Sequence, residues 1–441
     1  MPPPPSTHPP AAGGGIARGL VIAAPASGQG KTTVTLGLLR ALRRRGVVVA
    51  SGKSGPDYID PAFHAVAGGG VCATLDSWAM PPEALLARVP AASLILIEGA
   101  MGLLDGAAGQ PPGGAGSTAA VAQALNLPVV LVVDAARMGQ SIGALVDGFD
   151  RACPGGLAGV ILNRLGSDRH RAMLVAALSG GPPVLGALPF AADVATPSRH
   201  LGLVQAAERA DLDAFLDRAA DWIAAHLDLD ALTELAAPVD RPPARAPLRL
   251  VPLGQRIAVA QDVAFSFSYG HLLDDWRAQG AEILPFSPLA DQAPDPSADA
   301  IYLPGGYPEL HLPALTATPF LPGLKAAADR GALIYGECGG YMVLGQAITD
   351  ADGRAHPMAG LLALETSFAE RGRHLGYRRL TGGPAPLAGT LMAHEFHYAT
   401  TLKAEGSPLF QAKDAEGTVL PPMGLRQGRV MGSFAHVISP G

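Results

Sequence analysis

Short apolar runs recur along the chain, and most lead into a polar turn followed by a helical pattern. In the first half such runs lie at 20–24, 47–50, 94–97, 128–133, 159–162 and 184–188. Apolar runs of this length that alternate with helical stretches are typical of a parallel sheet with helices on both faces. The pattern predicts a doubly wound α/β fold, in which ligands bind at the carboxyl ends of the strands.

A Pro-rich stretch without periodicity interrupts this series at 236–247, and a second βα series begins at 257–260. Such a stretch is typical of a linker. The first fifteen residues are rich in Pro and Gly and have no apolar core. We therefore predict a disordered tail over 1–16, a first α/β domain over 17–236, a linker over 237–256 and a second α/β domain over 257–441.

The first apolar run leads into the sequence PASGQGKTT at 25–33 and then into a helical pattern. This order of strand, glycine-rich loop, Lys-Thr and helix is that of a phosphate-binding loop. Lys31 reaches the terminal phosphates and Thr32 binds Mg²⁺. Pro25 replaces the usual first glycine, and an ordinary βα turn is the less favoured alternative. The expected ATP-binding residues are Ser27, Gly28, Gln29, Gly30, Lys31, Thr32, Thr33 and Asn163, which ends a later run and could read a base edge.

Acidic residues follow several of the apolar runs. Asp57 and Asp60 lie in the loop after the second run, Glu98 ends the third at a Walker-B-like position, and Asp105 follows in the next turn. Carboxylates at strand ends hold Mg²⁺ directly or through water. Thr32, Asp57 and Glu98 are therefore candidate metal ligands, although Asp and Pro in the 53–61 loop are also explained by turn formation alone.

In the second half, Cys338 lies at a predicted strand–turn–helix elbow, in the sequence YGECGGY at 335–341. Such an elbow can hold a strained backbone and bring helix N-terminal amides to the sulfur, which favours the thiolate. A buried core cysteine is the alternative. Gly305 and Gly306 form a turn that can present a backbone N–H as an oxyanion hole, and Gly339 is the expected second donor.

A cysteine nucleophile needs a base, and His394, His397 and His436 are the candidates near the C-terminus. We favour His436, because it follows a short apolar segment and would be positioned by a strand–loop junction. His394 and His397 do not have the spacing of a zinc-binding helix and no third ligand is evident, so zinc is not expected. They could line a substrate pocket or have a structural role.

Composition and charge exclude several classes of protein. A chain of 441 residues is too long for one core, and 48% hydrophobic with 16% charged residues excludes a disordered protein. A net charge of −6, with only a short basic cluster at 43–45, predicts no nucleic-acid groove. Apolar runs are too short for a bilayer, three cysteines lack paired spacing, and the N-terminus is not a signal peptide. We therefore expect a cytoplasmic protein without a membrane partner.

Taken together, the motifs resemble those of the family of cobyrinic acid and hydrogenobyrinic acid a,c-diamide synthases. The resemblance runs from about residue 18 to the C-terminus. It rests on the motifs APASGQGKTT (24–33), SGPDYIDP (54–61), IEGAMGLLDG (97–106), LPGGYPE (303–309), YGECGGY (335–341), HEFHY (394–398) and GSFAH (432–436).

The resemblance implies a dethiobiotin-synthetase-like ATP domain over 17–236 and a class I glutamine amidotransferase domain over 257–441. It implies ATP- and glutamine-dependent conversion of the a- and c-side-chain carboxylates of a corrin to amides, with Cys338 as nucleophile and His436 as its base. Tyr58, Ile59, Asp60 and Asp105 fall in segments implicated in handling the corrin or the intermediate. The implied partners are ATP, L-glutamine, Mg²⁺ and a corrin polycarboxylate; a homodimer stays open.

One departure from the class I pattern leaves a question open. These glutaminases carry His-x-Glu, whereas Val437 and Ile438 follow His436. Either a Cys–His dyad suffices or another acid orients the imidazole. We also expect a sheltered path for ammonia between the domains.

Three alternatives remain. They are the same chemistry on another tetrapyrrole such as nickel sirohydrochlorin, a nucleotide-switched binding ATPase with a vestigial glutaminase domain, and a glutaminase or peptidase with a regulatory nucleotide domain.

Overall fold

The structure is a computed structural model that describes residues 17–441, except 195–197, 200, 201, 204, 207, 208, 210 and 240–248. The predicted tail at 1–16 and the middle of the predicted linker lie outside the described residues. The chain divides into two compact units. Unit 1 contains 1–77, 85–106 and 112–245, and unit 2 contains 78–84, 107–111 and 246–441. The domain boundaries given above stay predictions.

A parallel sheet forms the centre of unit 1. Its strands are β1 (Arg18–Ala23), β2 (Val49–Ser54), β3 (Cys72–Leu75), β4 (Leu94–Glu98), β5 (Val129–Asp134), β6 (Leu157–Leu165) and β7 (Val184–Pro189). They are ordered β3-β2-β4-β1-β5-β6-β7, with every neighbouring pair parallel. Elsewhere, β8 (Ser198–Arg199) pairs with β9 (Gly202–Leu203), and β10 (Ala237–Pro238) pairs antiparallel with β1.

Helices connect these strands. They are α1 (Lys31–Arg44), α2 (Asp60–Gly68), α3 (Pro82–Arg88), α4 (Thr118–Leu125), α5 (Ile142–Ala152), α6 (Asp168–Ala177), α7 (Leu212–His226) and α8 (Leu229–Leu235). In α1, Val34, Leu38 and Leu42 recur at a spacing of four residues and are buried in the core of the unit. Burying each such side chain contributes about 1.5–3 kcal/mol. This burial fixes the start of α1, and therefore Lys31, at the end of β1.

The second strand extends further than the sequence indicates. The apolar run at 47–50 predicts a strand there, whereas β2 begins at Val49 and continues to Ser54. All six residues are buried because β2 lies between β3 and β4, and Lys53 belongs to the strand rather than to the loop after it. The residues around Lys53 do not indicate a strand there, because the carboxylates that neutralise its charge lie elsewhere in the chain.

Unit 2 contains a larger mixed sheet. Its strands are β11 (Arg256–Ala260), β12 (Glu282–Phe286), β13 (Ala300–Leu303), β14 (Leu333–Glu337), β18 (His374–Thr381), β19 (Leu391–His397), β21 (Ser407–Lys413), β22 (Val419–Gln427), β23 (Val430–Ser433) and β24 (Ala435–Pro440). The order is β12-β11-β13-β14-β23-β22-β21-β18-β19-β24, parallel as far as β23 and antiparallel beyond it. A smaller sheet has the order β16-β15-β17-β20, with β15 (Ala347–Thr349), β16 (Ala355–Pro357), β17 (Ala363–Ser367) and β20 (Thr400–Glu405).

The helices of unit 2 are α9 (Gly270–Ala278), α10 (Leu312–Ala317), α11 (Phe320–Asp329) and α12 (Gly339–Leu344). Buried residues such as Ile301, Ile334 and Leu344 form its core. Only Phe434 separates β23 from β24, and the backbone N–H of Val437 in β24 donates to the Glu337 carboxylate at 3.0 Å. The first residues of β24 are thereby held beside the end of β14.

Both units have the predicted α/β architecture with parallel strands at the centre, and the expected fold class is confirmed. In the described part of the chain, no helix has both the length and the apolar character needed to cross a membrane.

Candidate functional site

The phosphate-loop motif forms the connection from β1 to α1. Gly30 precedes the helix with φ 86°, and a Cβ there would lie 2.2 Å from Nδ2 of Asn163, so only glycine fits. Lys31 opens the helix, and its Nζ donates to the Met101 carbonyl at 2.8 Å. Ser27 and Gly28 are exposed, whereas Lys31 is buried, and this burial lowers the pKa of Lys31. Thr32 and Thr33 follow in the first turn, half-buried.

Asn163 supports this loop from the end of β6. Its Nδ2 donates to the Gln29 carbonyl at 2.8 Å, and its Oδ1 accepts the Arg164 N–H at 2.9 Å. The Gln29 Oε1 in turn accepts the Asp134 N–H at 2.7 Å. Both ends of the Asn163 amide are thus bonded within the chain, and its contact with a base stays a prediction.

A buried cluster of charges lies beside the loop, with Glu98 at its centre. The Oε1 of Glu98 accepts hydrogen bonds from Thr32 Oγ1 at 2.6 Å and Lys53 Nζ at 3.0 Å, and its Oε2 bonds His64 Nε2 at 2.6 Å. Lys53 also donates to Asp60 Oδ2 at 2.6 Å. The strand end, the phosphate loop and α2 therefore meet at one carboxylate.

The protonation states in this cluster follow from its partners. Burial raises the pKa of Glu98, but Lys53 and His64 outweigh it and leave that pKa well below its usual range. Burial lowers the pKa of Lys53, yet Asp60 and Glu98 raise it far more. Burial opposes protonation of His64, while the neighbouring Cys72 sulfur and Glu98 favour it and raise its pKa to about 10. The cluster thus holds fixed charges of both signs at neutral pH.

Sequence reasoning missed Lys53 and His64 as members of this cluster. Lys53 was assigned to a loop, and His64 lies in α2 with nothing in its neighbours to mark it. The signal available was spacing, because His64 lies one helical turn after Asp60 and both therefore face the same side of α2.

The cluster has oxygen atoms that suit a hard cation. Asp60 Oδ2 lies 3.5 Å from Thr32 Oγ1, and Asp60 Oδ1 is buried with no hydrogen-bond partner among the described residues. Burial and the neighbouring Asp57 raise the pKa of Asp60 to about 6. Hydroxyl and carboxylate oxygens are the ligands that Mg²⁺ prefers, so the residues present fit this ion.

The other acidic and substrate-facing candidates of unit 1 have local contacts. Asp57 Oδ1 accepts the N–H groups of Ile59 and Asp60 at 2.8 and 3.1 Å and shapes the turn into α2. Asp105 is exposed, and its Oδ2 accepts the Gly102 N–H at 2.8 Å. Tyr58 is buried, and Ile59 packs on the core of the unit. Their roles toward a metal or substrate stay predictions.

In unit 2, Cys338 lies between β14 and α12 with φ 46° and ψ −108°. This positive φ is the predicted strain. The glycines two residues before and two residues after Cys338 have no room for a side chain. A Cβ on Gly336 would lie 2.7 Å from the Gly340 carbonyl carbon, and one on Gly340 would lie 2.1 Å from the Leu303 oxygen. The sequence therefore requires glycines on both sides of Cys338 for steric reasons.

Gly305 lies against both Cys338 and His436. A Cβ on Gly305 would be 2.3 Å from Cε1 and 3.0 Å from Nε2 of His436, and 3.1 Å from Cβ of Cys338. Gly306 N lies 3.2 Å from the point where a Cβ of Gly339 would be, and the Gly339 N–H bonds to Cys338. Cys338, His436 and both glycine turns named from the sequence therefore meet at one point, and their catalytic roles stay predictions.

His436 lies inside β24, not at the strand–loop junction that the sequence predicts, because the strand resumes directly after Phe434. Its Nδ1 is 3.9 Å from Oε2 of Glu337, and its ring bonds to the Phe267 backbone. Burial and the neighbouring His394 lower the pKa of His436 to about 3. The imidazole is therefore neutral.

Glu337 is the acid nearest to this imidazole, and sequence reasoning missed it although it precedes Cys338. It is buried and accepts hydrogen bonds from Tyr302 Oη at 2.8 Å, Tyr335 Oη at 3.1 Å and Val437 N–H at 3.0 Å. Burial raises its pKa to about 7. Residues two apart on a strand share a face, which could have indicated the pairing of Tyr335 with Glu337.

The expectation that the Cys338 elbow favours a thiolate is wrong for this structure. Burial raises the pKa of Cys338, the nearby Glu309 raises it further, and the Gly339 N–H only partly offsets both. The helix behind it, α12, has six residues and a correspondingly small dipole. Thiol and imidazole are thus both neutral here.

His394 and His397 lie on opposite faces of β19. His394 pairs with His436 and Tyr377 on the neighbouring strands, whereas His397 bonds Glu395 Oε1 through Nε2 at 3.1 Å and the Ala399 carbonyl through Nδ1 at 3.0 Å. Their roles toward a substrate stay predictions.

The sequence shows no third metal ligand, but the structure brings two further candidates close to His397. The ligand atoms of His374, Glu395 and His397 lie within 4.8 Å of one another. Arg378 binds the other Glu395 oxygen at 2.7 Å. The burial of the Glu395 carboxylate is therefore explained by its ion pairs within the chain.

Comparison with known proteins gives each unit a family. Residues 20–204 match the CobQ/CobB/MinD/ParA nucleotide binding domain, and residues 256–440 match the CobB/CobQ-like glutamine amidotransferase domain. The hydrogenobyrinate a,c-diamide synthase of Rhizobium meliloti (strain 1021) is 55% identical over 430 residues, which are 95% of this chain and 99% of that protein. The enzymes of that name from Brucella ovis and Rhodobacter capsulatus are 56% and 53% identical, over 96% of this chain and 98% and 99% of their own.

The chain belongs to this family of a,c-diamide synthases. The family resemblance drawn from the motifs is confirmed, and the relatives' names favour none of the three alternatives. As a family member the chain is a glutamine-using carbon–nitrogen ligase with a nucleotide-binding domain. Among solved structures, chloroplast FtsY from Physcomitrella patens covers 47% of the chain and 66% of its own at 21% identity, with a TM-score of 0.30, too low to carry an argument.

Proposed function

We propose that this a,c-diamide synthase amidates the a- and c-side-chain carboxylates of hydrogenobyrinic or cobyrinic acid in the cytoplasm, with ATP and L-glutamine as co-substrates. The observation that carries the proposal is the meeting of Cys338 and His436 at Gly305, in a chain that also holds a phosphate loop with an adjoining cluster of charges. A glutaminase supplies ammonia, and a phosphate loop supplies the activation that a carboxylate needs.

In unit 1 the substrate carboxylate oxygen attacks the γ-phosphorus of ATP. The bond from that phosphorus to the ADP oxygen breaks, and an acyl phosphate forms. Lys31, Lys53 and the N–H groups from Gly28 to Thr32 stabilise the charge on the phosphates. Ammonia then attacks the acyl carbon, the bond to phosphate breaks, and the amide forms.

Mg²⁺ suits the oxygen atoms of Thr32, Glu98 and Asp60, with Asp57 beside them. Bound there, it would neutralise charge on the β- and γ-phosphates. The chain holds these oxygens in place through Lys53, which binds Glu98 and Asp60, and through His64, which binds Glu98.

In unit 2 the Cys338 thiol gives its proton to His436 and attacks the amide carbon of glutamine. The carbon–nitrogen bond breaks, and ammonia leaves with the proton from His436. Water then hydrolyses the thioester to glutamate and the free thiol. The Gly339 N–H bonds to Cys338, and the backbone nitrogen of Gly306 lies close to Gly339, which supports the role of both turns as oxyanion donors.

Mass spectrometry after incubation with ATP, Mg²⁺ and glutamine tests the substrate. Hydrogenobyrinic acid, cobyrinic acid and nickel sirohydrochlorin are offered separately, with ATP omitted in a matched control. We expect two successive hydroxyl-to-amine mass changes on a corrin, each requiring ATP. Amidation of nickel sirohydrochlorin alone, or glutamine hydrolysis with every substrate left unchanged, would overturn the proposal.

A further inference from the structure

Glu309 is half-buried, and the chemistry above does not use its carboxyl group. It lies three residues after Gly306, and its Oε2 is closed to solvent with no hydrogen-bond partner among the described residues. No ion pair to Glu309 occurs in the part of the chain that the structure describes, and only its own backbone N–H binds the carboxyl. Burying a carboxylate without a partner is costly, so a protein that keeps one there has a use for it.

This carboxyl group lies at the glutaminase centre. Its charge acts directly on the Cys338 thiol. The preceding residue, Pro308, packs on the oxyanion turn, since a Cβ on Gly339 would lie 2.7 Å from Pro308 Cδ. Tyr307 contacts Phe267 with ring centroids 4.8 Å apart, and the Phe267 backbone bonds both Gly305 and His436. Glu309 is therefore attached to the same turn that positions the nucleophile.

The charge balance indicates what this carboxyl group binds. A cation is the ligand that a buried, unpaired carboxylate favours. Glutamine carries an α-ammonium group four bonds from the carbon that Cys338 attacks, a reach of about 5 Å in an extended chain. Arg371, an exposed residue shortly before β18, is the cation whose charge acts on Glu309. An acidic and a basic side chain that interact with each other can complement the two charges of an α-amino acid.

We infer that Glu309 receives the α-ammonium group of glutamine, and that Arg371 receives its α-carboxylate. The inference rests on the proposed role of Cys338 as the glutaminase nucleophile. The pair thereby makes unit 2 selective for an amino-acid amide over a simple amide of the same length.

Glutaminase kinetics with two substrates test this selectivity. L-Glutamine is compared with glutaramate, which has the same amide and carboxylate but lacks the α-ammonium group. We expect Glu309→Gln to lower kcat/KM for glutamine about 100-fold, chiefly through KM, and to leave kcat/KM for glutaramate unchanged. Glu370→Gln, an exposed carboxylate beside Arg371, is the matched control and should alter neither. Equal losses with both substrates would reduce Glu309 to a structural residue and overturn the inference.

Arg371→Gln provides a second measurement on an exposed residue whose replacement leaves the core intact. It should lower kcat/KM for glutamine but not for 4-aminobutanamide, which lacks the carboxylate. Unchanged selectivity in both Glu309→Gln and Arg371→Gln would overturn the inference without affecting the proposed role of Cys338 as nucleophile. If Cys338→Ala retained glutamine-dependent ammonia release, the proposed function would fail instead, so the two failures are distinguishable.

Discussion

Glu98 and Glu337 occupy equivalent places in two different sheets, and their surroundings differ in charge. Each is the last residue of a central parallel strand and each is buried. Glu98 is bonded by Lys53 and His64, and its pKa falls. Glu337 is bonded by two tyrosine hydroxyls and a backbone N–H, and burial raises its pKa to about 7.

The difference matches the chemistry proposed for each unit. Phosphoryl transfer handles several negative charges, so a centre of fixed, balanced ions can bind phosphates and a cation without large rearrangement. Glutamine hydrolysis begins from a neutral thiol and a neutral imidazole, so a carboxyl group held by neutral donors adds little charge beside them. The same residue at the same place in a sheet thus serves different chemistry because its neighbours differ.

Cys338→Ala should have the largest effect and should separate the two centres. Removing the nucleophile should lower glutamine-dependent amidation about 10⁴-fold, because no thioester can form. Amidation with added ammonium should persist, since unit 1 keeps its charges. Cys153→Ala, a buried thiol of unit 1, is the control and should affect neither nitrogen source. Equal loss with glutamine and ammonium would contradict two separate centres.

Lys53→Met should damage the other centre. It leaves Glu98 and Asp60 buried without their shared cation, so the free energy of unfolding should fall by about 3–5 kcal/mol. Ammonium-supported amidation should fall about 100-fold, while glutamine hydrolysis continues. Denaturant unfolding and both assays measure these effects.

Lys403→Met provides the control for that experiment, because the exposed pair of Lys403 with Glu405 should contribute no more than about 1 kcal/mol. Similar destabilisation by both substitutions would mean that the buried ion pairs of unit 1 contribute no more to the free energy of unfolding than an ion pair at the surface.

Sequence patterns indicated both centres but not this contrast. The glycine-rich motifs located Lys31, Cys338 and the Gly305–Gly306 turn because tight turns leave a strong local signal. Sequence reasoning missed Lys53, His64 and Glu337 because their roles depend on partners far apart in the chain, such as Lys53 and Glu98, which are 45 positions apart. The protonation of Cys338 was misjudged for a related reason, since burial is set by the whole unit and not by the neighbouring residues.

The pH dependence of glutamine binding should distinguish the charge states of unit 2. Burial raises the pKa of Glu309 to about 8, so below that pH the empty site holds a neutral acid. Binding an ammonium group requires the carboxylate, hence a proton must be released. The KM for glutamine should therefore rise as pH falls from 8 to 6, by up to about tenfold per unit.

Arg371 acts on the charge of Glu309, and Glu309 acts on Cys338 together with Glu337 and Glu395. The Glu309→Gln variant isolates its contribution, because its KM should be high and independent of pH in this window. A wild-type KM that stays constant from pH 6 to 8 would contradict a neutral Glu309 in the free site.

Glu337→Gln should have the smallest effect, and it tests whether Glu337 positions His436. At 3.9 Å from Nδ1 the carboxyl group is too distant for a strong bond, so we expect glutaminase kcat to fall only about tenfold, with KM unchanged. Glu98→Gln breaks contacts with two cations, so it should have a larger effect on its own unit. We expect the rate of ammonium-supported amidation to fall about 100-fold in that variant. Ammonium-supported amidation in Glu337→Gln serves as the control and should be unaffected. An unchanged glutaminase kcat would mean that Cys338 and His436 act as a dyad, whereas a loss as large as that of Cys338→Ala would make Glu337 an essential third member.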